Sequence, residues 1–205
     1  EGGVNVPSEN YLKDVMDFCH EKNILFILDE VQTGMGRIGT LFGYQQFEGV
    51  EPDVMTLAKA LGSGAPLGAF LTKEFCSVLE PGDHGSTFGG NALTTAAGAA
   101  AAKVIVDENI PALASETGAY FQGKLNALAE KYDFITEVRG MGLLIALQMN
   151  IDIAGATVTA ALPEGLLINA VRPNIIRFMP PLNVTRDEID EAVAILDNVL
   201  AVTGA

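Results

Sequence analysis

Positive charge is scarce in this sequence. Lys and Arg number 12 against 26 Asp and Glu, for a net charge of −14. That balance opposes binding to nucleic acid or to an anionic membrane surface, where Lys and Arg must neutralise phosphates. A small anionic ligand stays possible, because one pocket can differ in sign from the whole. Histidine is as sparse: His20 and His84 stand far apart and give no metal-ligand spacing. Cys19 and Cys76 form no CxxC pair. They read as buried free thiols of a reducing compartment, so the expected location is cytoplasmic. No apolar run is long enough to cross a bilayer, and no G-x-x-x-x-G-K-[ST] phosphate loop occurs.

Apolar residues dominate instead. They make up 49% of the chain against 19% charged, which allows a sizeable packed core and argues against disorder. The chain opens on EGGVNVPS without an initiator Met, which leads us to expect a piece of a longer protein.

Ser8, after Pro7, is a candidate cap for a helix carrying Leu12, Val15, Met16 and Cys19 on one face. Ile24 to Leu28 reads as a strand buried on both faces that runs into Asp29 and Glu30. A glycine-rich loop, a short helix at 42–47 and strands opening at Val54 and near Pro66 follow. A second loop, PGDHGSTFGGN, precedes an alanine-rich helix from Ala92 to Val106. This rhythm predicts an α/β layer with mostly parallel strands, in which ligands sit beyond the carboxyl ends of strands. After about residue 108 the pattern changes. A helix carries Phe121, Leu125, Leu128 and Tyr132. Strands flank a Gly-Met-Gly bend, two more follow, and a T-x-x-E capping box at Thr185 and Glu188 opens a last helix. The expected organisation is a partial large domain at 1–108 and a smaller α+β domain at 109–205.

Four groups of residues can carry chemistry. Lys59 leaves an apolar strand among small residues; desolvation there lowers an amine's pKa, and the neutral amine attacks carbonyls. Asp29, at a strand end, calls for a fixed positive partner, either a cationic side chain such as Arg37 or a protonated heterocycle. Ser86 and Thr87, among glycines and ahead of a helix starting near Asn91, suit a phosphate. Arg177 inside an apolar strand calls for a carboxylate, from the protein or from a substrate. Arg139 reads as structural.

Five segments occur in order: ILFILDEVQTGMGRIG, DVMTLAKALGSGAPLGAF, GSTFGGNALTTAAG, VRGMGLLIAL and IIRFMPPLNVTRDEID. Together they resemble the class III aminotransferases of the pyridoxal-phosphate (PLP) fold type I group, in the branch acting on acetylornithine and ornithine. The resemblance covers essentially the whole chain. It implies a PLP-transferase fold, an amino transfer between N-acetylornithine or a related ω-amino compound and 2-oxoglutarate, and a homodimer. It assigns Asp29 to the pyridinium nitrogen, Gln32 to the ring hydroxyl, and Lys59 to the Schiff base and proton shuttle. It implies that Thr87, with Ser86 beside it, binds the cofactor phosphate across the dimer interface. By the same resemblance Arg177 is expected to clamp the substrate carboxylate, and Glu1 to pair with that arginine when the other substrate is bound. Ornithine or 4-aminobutyrate aminotransferases and aminomutases share the pattern, and a non-catalytic folding fragment is the alternative of a different class. The family chain is about twice as long. The expectation is therefore that this piece alone is inactive, binds PLP weakly or not at all, and self-associates through exposed strand edges.

Overall fold

The computed structural model describes residues 2–204, so the assignment made for Glu1 lies outside the described residues. The chain forms two compact units. One runs from Pro7 to Ala112; the other comprises the segment up to Val6 and everything from Leu113 onward.

In the first unit, α1 (Tyr11–Glu21) carries Met16 into a small core with Phe26 and Val50. Ser8 is not its side-chain cap. Asn10 occupies the cap position without a side-chain bond, and Ser8 contributes its carbonyl to the Tyr11 N–H at 3.0 Å. Three strands follow: β1 (Ile27–Asp29), β2 (Val54–Leu57) and β3 (Ala69–Thr72), in the order β1-β2-β3. β1 and β2 are parallel, as expected, but β3 runs antiparallel to β2.

Strand β1 is shorter and barer than its apolar run suggests. Ile24, Leu25 and Ile27 are 52%, 47% and 55% exposed, and the ladder begins only at Ile27. Burial on both faces needs cover on both, and among the described residues β1 is paired with β2 alone. Its register is nevertheless fixed from outside the ladder. Asp53, just before β2, accepts the Phe26 N–H on its carboxylate at 2.8 Å and donates its own N–H to the Phe26 carbonyl at 2.9 Å. His20 at 2.9 Å and Lys73 at 3.7 Å complete the surroundings of this buried acid.

The alanine-rich segment forms α2 (Ala92–Asp107), capped by Asn91. It packs on the one-turn helix Lys59–Leu61 through Gly98, where an added Cβ would lie 3.2 Å from the Leu61 carbonyl and 2.3 Å from Leu67 Cδ2. A side chain there would push the helix away.

In the second unit, α3 (Ile110–Lys131, from Leu113 on), α4 (Ala154–Ala161) and α5 (Arg186–Thr203) accompany an antiparallel sheet. Its strands are β4 (Ile135–Met141), β5 (Leu144–Met149), β6 (Asn169–Arg172) and β7 (Ile175–Phe178), in the order β4-β5-β7-β6. Leu125, Ile145, Leu147, Ile176, Ile189, Leu196 and Leu200 are almost wholly buried in one cluster. Each contributes roughly 1.5–3 kcal/mol by leaving water. The expected capping box holds: Thr185 Oγ1 accepts the Glu188 N–H at 3.2 Å, and the Glu188 carboxylate accepts the Thr185 N–H at 2.8 Å. Lys131 and the Tyr132 hydroxyl both reach Asp197, tying the end of α3 to α5 at 2.7 and 2.6 Å.

Candidate functional site

Asp29 closes β1, and Lys59 lies just beyond β2. The two strands are parallel neighbours, with Asp29 paired to Thr56. Both side chains therefore leave the sheet at the carboxyl ends of adjacent strands, where open α/β sheets bind ligands. Both residues are exposed, rather than enclosed as their apolar strands suggest. Asp29 is nonetheless held: its Oδ1 accepts the Val31 N–H at 2.9 Å and the Thr56 hydroxyl at 3.1 Å. Aligned residues of paired strands face the same way, which is why a threonine there can steady the acid.

Lys59 sits at φ +45°. A left-handed backbone at a residue with a Cβ costs about 1–2 kcal/mol. The turn that follows holds it, with Leu61 N–H on the Ala58 carbonyl at 2.9 Å, Gly62 N–H on Lys59 at 3.2 Å, and α2 packed behind. Strain of this kind gathers where a side chain must be aimed.

The adjacent Glu30 behaves oppositely and is only 3% exposed. Its carboxylate accepts the Gly43 N–H at 2.8 Å, the Tyr44 N–H at 2.7 Å and the Thr33 hydroxyl. The buried acid of this pair is thus Glu30, satisfied by backbone donors, while Asp29 points outward. Gln32 lies in the loop between these contacts, which also carries Arg37; burial pushes the Arg37 pKa down.

The loop before α2 is exposed throughout, with Ser86 and Thr87 in it. Asn91 Oδ1 already accepts the Leu93 and Thr94 N–H groups, both at 3.1 Å. An anion would therefore meet the Ser86 and Thr87 hydroxyls and the loop backbone more than the end of α2. Ser86 Oγ also accepts the Gly89 N–H at 2.9 Å, which closes the loop on itself. Around Gly85 and Gly90 an added Cβ would meet nothing, so the backbone there is open to a ligand.

In the other unit, Arg177 is half-buried in β7, opposite Ala146 on β5 and Asn169 on β6. Arg139 is structural, as expected. It donates to the Gly3 carbonyl at 2.7 Å, the Val4 carbonyl at 3.1 Å, Glu137 at 2.5 Å and Gln148 at 2.6 Å.

PLP needs an acid for its ring nitrogen, a primary amine for its carbonyl and donors for its phosphate. The first unit supplies an aimed, exposed carboxylate, an exposed lysine at the same sheet edge, and a hydroxyl-bearing open loop. The donor set fits the group. Among the described residues, no group of three or more His, Cys, Asp or Glu is placed to hold a metal ion, and no helix is long and apolar enough to cross a membrane. Sequence reasoning missed Thr56 and Glu30. Thr56 is visible only once the register of β1 on β2 is known, and Glu30 only once the loop folds back on it.

A family model described as aminotransferase class-III matches residues 1–200. The acetylornithine aminotransferase of Caldanaerobacter subterraneus subsp. tengcongensis is 48% identical over 201 residues, covering 98% of this chain and 51% of that protein. The solved acetylornithine aminotransferase from Elizabethkingia anophelis matches with a TM-score of 0.91 at 40% identity, over 98% of this chain and 54% of its own. An ornithine aminotransferase from Toxoplasma gondii, solved with partial occupancy of PLP at its active site, matches with a TM-score of 0.91 at 38% identity, over 98% of this chain and 48% of its own. The chain spans about half the length of the curated relatives it matches.

Proposed function

The chain belongs to the class-III aminotransferases, within the fold type I PLP enzymes, and from that premise we propose that the full-length protein transfers an amino group from N-acetylornithine to 2-oxoglutarate. The observation that carries the reading is the placement of Asp29 and Lys59 at the carboxyl ends of two paired parallel strands.

PLP, when bound, supplies the carbonyl that takes up the amino group and a ring that accepts electrons. The chain's own residues do the rest. Asp29, fixed through Oδ1 by Val31 and Thr56, offers its carboxylate to a positive ring nitrogen and keeps the proton there. Gln32 would hold the ring hydroxyl. Lys59 would hold the cofactor at its carbonyl end, and its amine would take a proton as base and return it as acid. Ser86 and Thr87 bind the phosphate, Thr87 from the second subunit of a cytoplasmic homodimer. Arg177 binds the substrate carboxylate, with Glu1 as its alternate partner. The described residues offer no basic tract for nucleic acid and no spanning helix.

Ornithine is the second reading for the donor, favoured by the similarity to the Toxoplasma gondii ornithine aminotransferase. The test is donor profiling of the purified full-length protein with 2-oxoglutarate as acceptor. Glutamate formation from N-acetylornithine at a kcat/KM at least tenfold above that from ornithine supports the first reading. The reverse ratio supports the second, and no transfer from either, with PLP bound, contradicts both.

A further inference from the structure

Two acids stand side by side at the end of β1, and the proposed chemistry uses only the outer one. Glu30 is buried and closes a loop on both sides. At the near side its carbonyl accepts the Gly34 N–H at 2.9 Å and its carboxylate takes the Thr33 hydroxyl. At the far side Oε2 accepts the Gly43 N–H at 2.8 Å and Oε1 the Tyr44 N–H at 2.7 Å. Two glycines make room for it. An added Cβ on Gly34 would lie 2.8 Å from the Glu30 carbonyl, and one on Gly43 would lie 2.8 Å from Oε2 and 3.1 Å from Oε1. The segment pinned in this way begins with Val31, whose N–H holds Asp29, and includes Gln32.

We propose that Glu30 is a positioning residue for cofactor retention: its buried carboxylate fixes the loop that aims Asp29 and places Gln32. The inference rests on the reading of Asp29 as the ring-nitrogen acid. Its chemical signature is specific. A glutamine of the same shape has one acceptor oxygen for two opposed backbone donors. Whichever way it lies, either the Gly43 or the Tyr44 N–H meets an amide NH2 and loses its partner. The far side of the loop is then released while β1 keeps its ladder.

The experiment compares full-length wild type, Glu30→Gln and Met16→Ala, the last a core truncation in the same unit whose cluster packs against Tyr44 but takes none of the Glu30 hydrogen bonds. PLP dissociation constants are measured by absorbance titration, the pH dependence of the bound cofactor's visible band is recorded, and urea midpoints report stability. The expected result is a rise of roughly tenfold in the Glu30→Gln dissociation constant with a shifted pH profile, against wild-type values for Met16→Ala at a similar loss of stability. Equal effects of the two variants, or wild-type retention and profile in Glu30→Gln, overturn the proposal. Should Glu30→Gln fail to fold, Thr33→Val removes one donor alone: a several-fold weakening supports the proposal, and unchanged retention overturns it. Wild type that binds no PLP removes the reading of Asp29 itself, a failure distinct from that of Glu30.

Discussion

Thr56 donates its hydroxyl to Asp29 Oδ1 at 3.1 Å across the parallel pair β1 and β2, where the two residues lie directly opposite. One oxygen of the acid is thereby committed to the scaffold, together with the Val31 N–H at 2.9 Å. Replacing Thr56 by the near-isosteric valine removes one tether and leaves the ladder intact. Thr56→Val in the full-length protein is expected to weaken PLP binding by about tenfold, the worth of one hydrogen bond to a charged group, as measured by absorbance titration. Unchanged binding would mean that Asp29 needs no such support.

Lys59 tests the proton transfer. Lys59→Ala is expected to reduce transamination by about 10³-fold or more, as loss of a general acid–base does. PLP should remain bound through Asp29 and the Ser86–Thr87 loop. Partial recovery with added small primary amines, read as a rise in kcat with amine basicity, would assign the lost step to the amine itself. No recovery with any amine would assign it to geometry.

Much of this was legible in the residues, and the exceptions have two causes. The capping box at Thr185 and Glu188, the alanine-rich helix and the four strands of the second unit follow from local pattern, because their signals lie within a few residues. The position of Lys59 beyond a strand was legible for the same reason. The failures at β1 and Glu30 needed partners distant in sequence, whereas those at Ser8 and α4 are local. The apolar run at Ile24 to Leu28 predicts burial but cannot say what covers it, and Ile24, Leu25 and Ile27 are exposed. Ser8 loses the cap because α1 starts later, at Tyr11. α4 went unread because Ala154–Ala161 is small and β-branched, with no polar face to mark a period. Glu30 looks like Asp29 in the sequence, and only the returning loop at Gly43 and Tyr44 separates a buried tie from an exposed acid.

Close approach of α3 to the bend between β4 and β5 depends on one glycine. A Cβ at Gly118 would lie 2.1 Å from the Gly142 carbonyl oxygen and 2.3 Å from its carbon, both backbone atoms with no rotamer to yield. Gly118→Ala should therefore destabilise the second unit by about 3 kcal/mol, at the upper end for overpacking, despite alanine's better helix propensity. Urea denaturation followed by tyrosine fluorescence and circular dichroism measures it. A neutral or stabilising substitution would contradict the packing described.

Acid should loosen the first unit through Asp53. Burial raises the pKa of its carboxyl, but the Phe26 N–H, then His20 and Lys73, outweigh burial and hold it below the ordinary carboxylate range. Lys73 also lies 3.6 Å from Glu51, the other charged group beside it. With the folded pKa depressed, the stabilisation is present above the unfolded value of about 3.9 and is lost as pH falls through the folded value. Asp53→Asn keeps an acceptor for Phe26 but carries no charge. It is expected to lower stability at neutral pH and to flatten the decline below about pH 4, measured by urea midpoints across pH. A decline as steep as wild type would assign the acid sensitivity to other groups.

The central claim is that Asp29 and Lys59 address the two ends of one bound ring. The most direct measurement is borohydride reduction of the full-length protein with PLP, followed by proteolysis and mass spectrometry of the labelled peptide. The account predicts a pyridoxyl label on Lys59, abolished by Lys59→Ala and weakened by Asp29→Asn. A label on Lys73 or Lys103 instead, or equal labelling of wild type and Lys59→Ala, would contradict it.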